Sequence, residues 1–212
     1  MRSTGQAPKT LMANTISNIL TINGTEEQVA EVREFIKGSK GESISLQSIF
    51  PMPKRLKGKK NVELKDYPHP KGMKPISIPD WMDWRWKYWG CSWDAEPIRD
   101  DAVEAPNSII FNTVDSTPQI AMGILSVLFP EVTLHVIYSD EYADQYCGEY
   151  AFSGGKVMTN VCYNAFAPNP ADIPVDQKME YYFLTHEYDR ENWKKDDDGE
   201  WVNICEDEDN EE

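Results

Sequence analysis

Five of the chain's seven tryptophans lie within residues 79–95, PDWMDWRWKYWGCSWDA, and this stretch constrains the fold more than any other. Asp80 is the type of residue that caps the start of a helix, and Gly90 is the type that ends one. Because each indole removes about 200 Å² from water when it is buried, the fold must provide a partner surface for these rings. The aromatic residues recur at i, i+3, i+7 and i+8, which makes one stripe along a helix: Trp81, Trp84, Tyr88 and Trp89.

Two interpretations of this block stay open. In the first, the helix is structural and its stripe packs into a hydrophobic core. In the second, residues off the stripe form an aromatic binding surface, whose candidate ligand or partner contacts are Arg85, Trp86, Lys87, Trp93 and Asp94. Among these, Asp94 is expected to be structural, because a carboxylate just beyond a helix end can hold an indole N–H or a guanidinium.

Alternation and capping signals predict two β-α-β units separated by an insertion. In the first unit, Thr25 and Gln28 have the spacing of a capping box. In the second, Thr117 is the expected N-cap and Pro118 occupies the first helical turn. The predicted strands cover residues 15–23, 44–50, 108–114 and 132–139.

These units predict an α+β fold, a ferredoxin-like βαβ-(insertion)-βαβ sandwich over residues 12–164. The insertion covers residues 54–107 and contains the tryptophan helix. One face of the sheet would carry both crossover helices, and the tryptophan helix is the candidate to cover the other face.

The C-terminal extension, residues 165–205, is expected to be mainly β. The aromatic run over 179–186 predicts a strand, and Asp198-Gly199 predicts the turn of a hairpin between two tryptophans. Another hairpin is expected earlier, at Ser153-Gly154-Gly155.

Both ends of the chain lack apolar patterning. Residues 1–11 lack the apolar region of a signal peptide and are expected to be either a disordered leader or the product of an upstream start codon, with Met12 as the working start. Residues 206–212 are expected to be a disordered acidic tail.

Negative charge is concentrated in the C-terminal part of the chain. Residues 1–130 carry 16 Lys and Arg against 15 Asp and Glu, whereas residues 131–212 carry 5 against 21, a net charge of −16. A surface this acidic repels nucleic acid, and it serves either a basic protein partner or solubility alone. The candidate contacts for a basic partner are Asp196, Asp197, Asp198, Glu200, Glu206, Asp207, Glu208 and Asp209.

A basic segment precedes the tryptophan block. Residues 54–78 hold eight Lys and Arg against two acids, interleaved with prolines and glycines, which predicts a surface loop. Such a run can fold back onto the acidic half of its own chain or contact phosphates, and the overall charge makes direct nucleic-acid binding the weaker alternative.

No sequence pattern indicates a catalytic residue, a cofactor or a metal site. The three histidines are not paired with a nucleophile in any motif, and no phosphate-binding glycine loop is present. The carboxylates of Asp140, Glu141, Asp144 and Glu149 are of the type that holds magnesium, but their spacing matches no loop motif. Four well-separated cysteines favour a reducing cytosol, and no apolar run approaches the length of a membrane span.

Several short motifs together resemble the YubB-like family of plasmid and phage proteins, over about residues 12–160. The motifs are Met12-Ala13-Asn14, FPMP at 50–53, WGCSWDA at 89–95, Ser116-Thr117-Pro118 and Gly148-Glu149-Tyr150. The resemblance implies a ferredoxin-like fold without an iron–sulfur cluster, and a gene of a mobile element in a bacterial cytosol. It brings no established activity and no catalytic residues.

Two functional hypotheses follow. The first is a non-enzymatic interaction protein of a mobile element, an inhibitor of host defence that mimics nucleic acid towards a basic host protein. The second is a small-molecule or nucleotide-binding protein, a sponge or hydrolase of a signalling nucleotide, with tryptophans stacking on the base and nearby cations binding phosphate. The oligomeric state is left open.

Overall fold

The computed structural model describes residues 14–56, 61–64, 76–97, 105–143, 145–165, 167, 170 and 172–205. Its strands are β1 (Thr15–Asn23), β2 (Asn61–Leu64), β3 (Ile76–Pro79), β4 (Glu96–Pro97), β5 (Ser108–Val114), β6 (Thr133–Asp140), β7 (Tyr146–Ser153), β8 (Lys156–Asn164), β9 (Trp193–Lys195) and β10 (Trp201–Asn203). Its α-helices are α1 (Glu26–Ile36), α2 (Leu46–Ile49), α3 (Asp80–Tyr88), α4 (Gln119–Leu128) and α5 (Val175–Thr185). Two 3₁₀ segments cover Lys54–Leu56 and Glu187–Asn192.

The main sheet has six strands in the order β4-β5-β1-β6-β7-β8, and all its neighbours pair antiparallel. Because β5 and β6 both run antiparallel to β1, they are parallel to each other, and α4 connects them. The second β-α-β unit predicted from sequence is therefore confirmed, with β1 placed between its two strands. The predicted α+β class is confirmed as well.

The prediction of the first β-α-β unit is wrong, because the segment 44–50, which was expected to be a strand, contains α2. Leu46 and Ile49 are buried, and their spacing of three suits one face of a helix as well as an irregular strand. The start of α2 is fixed from far away in sequence: the Asp94 carboxylate accepts the Leu46 N–H at 2.6 Å and the Ser45 hydroxyl at 3.0 Å. This tertiary contact decides the conformation against the local β-propensity.

The main hydrophobic core lies on one face of the sheet. Alternate residues of β1 point into it, with Ile16, Leu20 and Ile22 at 0–1% exposure, and α1, α2 and α4 cover them. Helix α3 packs against α4 on this same side, and Trp89 just beyond α3 is a member of this core. The expectation that the tryptophan helix covers the opposite face is therefore wrong.

Helix α5 covers the opposite face and contacts β1, β6 and β7. The strand predicted over 179–186 is wrong, because Met179, Tyr182 and Phe183 recur at i, i+3 and i+4 and form the buried side of this helix. They build a second, smaller core with Ala143, against which two tryptophans of the C-terminal hairpin pack. The extension is thus a helix followed by a hairpin.

Several local predictions are confirmed. Thr25 and Gln28 form the capping box at the start of α1, with reciprocal bonds of 3.3 and 2.8 Å. Strands β7 and β8 form the hairpin predicted at Gly154-Gly155, and β9 and β10 form the one predicted at Asp198-Gly199. Gly199 has φ +85°, the left-handed conformation that favours glycine in such a turn. The leader, the acidic tail over 206–212 and most of the basic segment lie outside the described residues. The prediction of a loop over 54–78 is wrong in part, because β2 and β3 pair antiparallel within this segment.

Candidate functional site

The tryptophan helix α3 starts and ends close to its predicted positions. Pro79 takes the N-cap place that was expected for Asp80, and Gly90 ends the helix with φ +91°. A Cβ atom on Gly90 would lie 3.3 Å from the Ile120 backbone nitrogen, so the turn after α3 approaches the start of α4 closely. Glycine is needed there both for its conformation and for lack of space.

Only one ring of the predicted stripe is fully buried. Trp89 is 1% exposed, and its indole N–H donates to the Phe50 carbonyl at 2.8 Å. Trp84 is partly buried against the core, whereas Tyr88 is 40% exposed and stacks on the Phe50 ring. The core interpretation of the stripe is therefore correct for Trp89 and in part for Trp84.

Arg85, one of the candidate contact residues, is enclosed by aromatic rings of the chain itself. Its guanidinium carbon lies 4.7, 5.1 and 5.0 Å from the ring centroids of Trp81, Trp89 and Trp93. It also donates to the Ser92 carbonyl at 3.1 Å. Burial lowers the pKa of this guanidinium, and the negative potential of Asp94 opposes the shift. A cation enclosed by three indoles is stabilised by their negative ring faces and is not presented to a phosphate.

The other candidates of the block are distributed over different environments. Lys87 is bound to the Asp83 carboxylate at 2.8 Å on the exposed side of α3. Trp93, at 45% exposure, contacts Trp81 and Arg85, and Asp94 caps α2. Asp94 is thus structural as expected, although it holds a helix N-terminus and not an indole. Trp86 lines a cleft.

This cleft, which we call the Trp86 cleft, has a volume of about 250 Å³. It lies at one end of the strands of the main sheet, where β1 and β7 begin and β5, β6 and β8 end. Antiparallel pairing brings these strand ends together. Most of its lining residues have polar side chains, and Trp86, which is 37% exposed, lies among them. The lining residues are Asn14, Ile16, Trp86, Asp115, Ser116, Asp140, Tyr146 and Asn164.

Asp115 is held in an unusual conformation at the cleft. Its φ of 67° is left-handed, a region in which Asp and Asn are the best tolerated residues after glycine. Its N–H donates to the Asn14 carbonyl at 2.8 Å, and its carboxylate accepts the Ser92 hydroxyl. The surrounding structure therefore fixes the backbone of this loop and orients the carboxylate.

A buried hydrogen-bond network supports the same loop from below. The Thr117 hydroxyl donates to the Asn18 amide oxygen at 2.8 Å and lies 3.0 Å from the Tyr150 hydroxyl. The Ser116 hydroxyl lies 3.2 Å from the Tyr146 hydroxyl. Burial raises the pKa of both tyrosines, so they stay neutral and act as hydrogen-bonding groups. Because a buried polar group without a partner costs about 1–3 kcal/mol, this network favours one loop conformation.

Hydrogen bonds link several of the short sequence motifs, which lie far apart along the chain. The Trp89 indole N–H donates to the Phe50 carbonyl, and the Ser92 hydroxyl donates to the Asp115 carboxylate. The Thr117 and Tyr150 hydroxyls are hydrogen-bonded to each other. Segments far apart in sequence are thus joined by direct hydrogen bonds into one framework.

Sequence reasoning missed most of the cleft residues. A strand followed by Asp115-Ser116 and a helix predicts a polar loop at a strand end, and that signal could have indicated this part of the wall. The prediction of Thr117 as the N-cap of α4 is wrong, because Pro118 takes that place and the Thr117 hydroxyl donates to Asn18 instead. Tyr146 and Asn164 gave no such signal, since only the pairing of β7 and β8 brings them here. Asp140, one of the four candidate magnesium ligands, is a buried residue of the cleft, and Asp144, another of the four, lies outside the described residues.

The acidic candidates split into a described hairpin and an undescribed tail. Asp196 organises the turn, because its carboxylate accepts the N–H groups of Asp198 and Glu200 at 3.0 and 2.9 Å. Asp197, Asp198 and Glu200 are exposed. Residues Glu206, Asp207, Glu208 and Asp209 lie outside the described part of the chain.

Two carboxylates anchor this hairpin to α5 and its following turn. Asp176 accepts the Trp201 indole N–H at 2.8 Å and pairs with Lys195, and these two hydrogen bonds lower the pKa of its carboxyl. Asp189 accepts the Tyr182 hydroxyl at 2.6 Å and the Trp193 indole at 3.0 Å. Partial burial opposes ionisation of Asp189, but its hydrogen bonds prevail and lower the pKa.

One serine–histidine cluster was not foreseen. His186, at 5% exposure under α5, lies 3.2 Å from the hydroxyls of Ser17 and Ser139, one at each ring nitrogen. Both serines are also buried, so a substrate cannot reach them while α5 stays in place. Burial lowers the pKa of His186, which indicates a neutral structural imidazole.

Within the described ranges, no group of three or more His, Cys, Asp or Glu side chains is arranged to hold a metal ion. Among the helices described, none has the length and apolar character needed to cross a bilayer. Comparisons with protein-family models, with curated proteins and with solved structures gave no match to this chain.

Proposed function

We propose that this protein acts by binding and that its acidic C-terminal surface contacts a basic protein. The carrying observation is the β9–β10 hairpin, whose tip presents Asp197, Asp198 and Glu200 to solvent while Asp176 and Asp189 hold its base. A fixed array of carboxylates loses little conformational freedom on binding, and this favours affinity.

The charge distribution supports the same proposal. Residues 131–212 carry a net charge of −16, and such a field steers a basic partner and raises its association rate. The resemblance to a plasmid and phage family supplies the setting: an inhibitor of a host-defence protein in the bacterial cytosol, with the carboxylates in place of nucleic-acid phosphates.

The strand order supports the ferredoxin-like part of the proposal. Along the chain, β1, β4, β5 and β6 stand in the sheet order β6-β1-β5-β4, which is the 4-1-3-2 order of a ferredoxin-like sheet. In this proposal the short β4 takes the place that residues 44–50 were expected to fill. Strands β7 and β8 extend the sheet beyond β6.

The test is a pull-down from host lysate with tagged full-length protein at low and high salt. The hairpin variant carries Asp197→Asn, Asp198→Ser and Glu200→Gln and leaves the turn-forming Asp196 in place. A matched control removes the same charge elsewhere, with Glu27→Gln, Glu31→Gln and Glu131→Gln, all exposed positions. We expect one stoichiometric basic protein, retained by the control and lost by the hairpin variant. Equal retention by both variants contradicts the proposal.

A second candidate function, binding of a nucleotide or another small molecule, is favoured by the partly exposed indole in the Trp86 cleft. The cations expected to bind phosphate are otherwise engaged: Arg85 by three indoles and Lys87 by Asp83. Quenching of tryptophan fluorescence by nucleotides that disappears in Trp86→Ala and persists in Trp93→Ala supports this candidate. If nucleotides do not quench the fluorescence of the unmodified protein, this candidate function is rejected.

A further inference from the structure

We propose that the Trp86 cleft binds the guanidinium group of an arginine side chain of the basic partner. The identity of this occupant rests on the proposed function, whereas binding of a guanidinium by the cleft can be tested without the partner.

The wall of the cleft suits a cation with several N–H donors. Its lining includes two acidic residues, Asp115 and Asp140, and two asparagines, Asn14 and Asn164. The Asp140 carboxylate is buried and accepts the Tyr142 N–H at 3.0 Å, which fixes its position. None of the eight lining residues that the structure describes is a lysine, arginine or histidine. A guanidinium offers five N–H donors in one plane, which matches several acceptors around a small space better than an ammonium does.

The indole of Trp86 gives the cleft a second feature that favours guanidinium. Arginine stacks on indole faces, and its weak hydration lowers the cost of leaving water. Arg85, the residue directly before Trp86 in α3, shows the same chemistry, because three indoles surround its guanidinium. Because Trp86 is partly exposed, its ring can make the same type of contact with a cation of a binding partner.

The size of the cleft fits one side chain. Its volume of about 250 Å³ is below the range of about 300–1,000 Å³ that is usual for small-molecule pockets. A nucleotide would also place its phosphates beside two carboxylates, and this like-charge contact is unfavourable.

The cleft is preorganised. The Ser92 hydroxyl and the Asn14 carbonyl fix Asp115, and Tyr146 supports Ser116. A wall that needs no rearrangement loses less free energy on binding than a mobile loop would.

The test uses the full chain, labelled with ¹⁵N, and two blocked tripeptides: Gly-Arg-Gly and Gly-citrulline-Gly. Citrulline has nearly the shape of arginine but no charge. Spectra are recorded at about 0.15 M salt, where nonspecific attraction to the acidic surface is largely screened. The Trp86→Phe variant assigns the Trp86 indole N–H signal. We expect the arginine peptide to shift this signal and side-chain amide signals of the cleft, with little effect of the citrulline peptide.

Two variants with the same change in charge localise the binding. Asp115→Asn keeps a residue that tolerates positive φ, and Glu131→Gln removes a charge from an exposed position outside the cleft. We expect Asp115→Asn to weaken binding of the arginine peptide about tenfold, the size of one charge-assisted hydrogen bond, and Glu131→Gln to leave it unchanged. Equal shifts with both peptides, or equal losses in both variants, overturn the proposal. If the chain captures a basic partner through the hairpin but does not bind the arginine peptide, this inference alone is rejected. If the chain binds the arginine peptide but captures no such partner, only the proposed function is rejected.

Discussion

The α3 region and the C-terminal hairpin both depend on tryptophans, but they use the indole in opposite ways. Around α3, the ring faces of Trp81, Trp89 and Trp93 surround the Arg85 cation. In the hairpin, the indole N–H groups of Trp193 and Trp201 donate to carboxylates. The first arrangement stabilises a partly buried positive charge, and the second attaches an acidic hairpin whose tip stays in water.

This difference shows that a cluster of tryptophans in sequence is not by itself a binding surface. Four of the five tryptophans between residues 79 and 95 have partners within the chain: Trp81, Trp84, Trp89 and Trp93. The candidate for external binding is Trp86, the tryptophan placed off the aromatic stripe, because it lines the cleft. The predictions below test the two regions against each other.

The largest effect is expected for Trp89→Ala, which removes a ring that is 1% exposed. Loss of this packing and of the bond to the Phe50 carbonyl should lower the free energy of unfolding by about 3–5 kcal/mol. Trp201→Ala, in the partly exposed hairpin, should cost clearly less. Urea denaturation followed by far-UV circular dichroism measures both. If Trp89→Ala does not fold, Trp89→Phe should fold with a smaller loss; a cost of Trp89→Ala no larger than that of Trp201→Ala would contradict this picture.

The next effect tests the cation within the α3 region. Arg85→Met keeps the aliphatic stem but removes the charge among three indoles, and should lower the free energy of unfolding by about 2 kcal/mol. Lys87→Met is the matched control, since its ammonium forms only an exposed pair with Asp83, worth less than about 1 kcal/mol. Equal costs for the two variants would show that the indoles do not stabilise Arg85.

The corresponding change in the hairpin region is Asp189→Asn. The neutral amide still accepts a hydrogen bond but loses the charge that strengthens those from Tyr182 and Trp193, so we expect a loss of about 1–2 kcal/mol. Amide hydrogen exchange should become faster in β9 and β10 and stay unchanged in α4. Asp197→Asn, at the exposed tip, should leave both exchange rates unchanged.

The smallest effect is a pH dependence confined to the α5 face. Burial lowers the pKa of His186 below its usual 6.5, so below pH 6.5 the unfolded chain binds a proton that the folded chain does not. Stability should therefore fall as the pH drops from 6.5 towards the folded pKa, by about 1.4 kcal/mol for each unit of difference between the two pKa values. The groups around the ring are Ser17, Ser139, Thr185, the stacked Tyr182 and the nearby Asp189.

Comparison with His186→Gln isolates this contribution. Its stability should vary less between pH 7.5 and pH 5.5 than that of the wild type, as measured by urea denaturation at each pH. The same slope in both proteins would assign the pH dependence to other groups.

Local chemistry determined the features that depend on neighbours in sequence. The capping box at Thr25, the helix end at Gly90 and the turn at Gly199 were predictable because backbone conformation and capping act within a few residues. The strand, helix and strand of the second β-α-β unit were predictable because their apolar spacing is unambiguous. The acidic hairpin tip followed from its turn and charges.

Only the tertiary structure decided the rest, because the decisive contacts join distant parts of the chain. Asp94 made residues 46–49 helical from 48 residues away, and packing against the sheet selected a helix for 179–186. The aromatic stripe did not distinguish Trp84 from Trp89, and only tertiary packing buried Trp89 completely and Trp84 in part. The Trp86 cleft depends on antiparallel register at five strand ends, which local propensity does not encode. A sequence specifies which side chains can form such a site, and the pairing of its strands determines which of them meet.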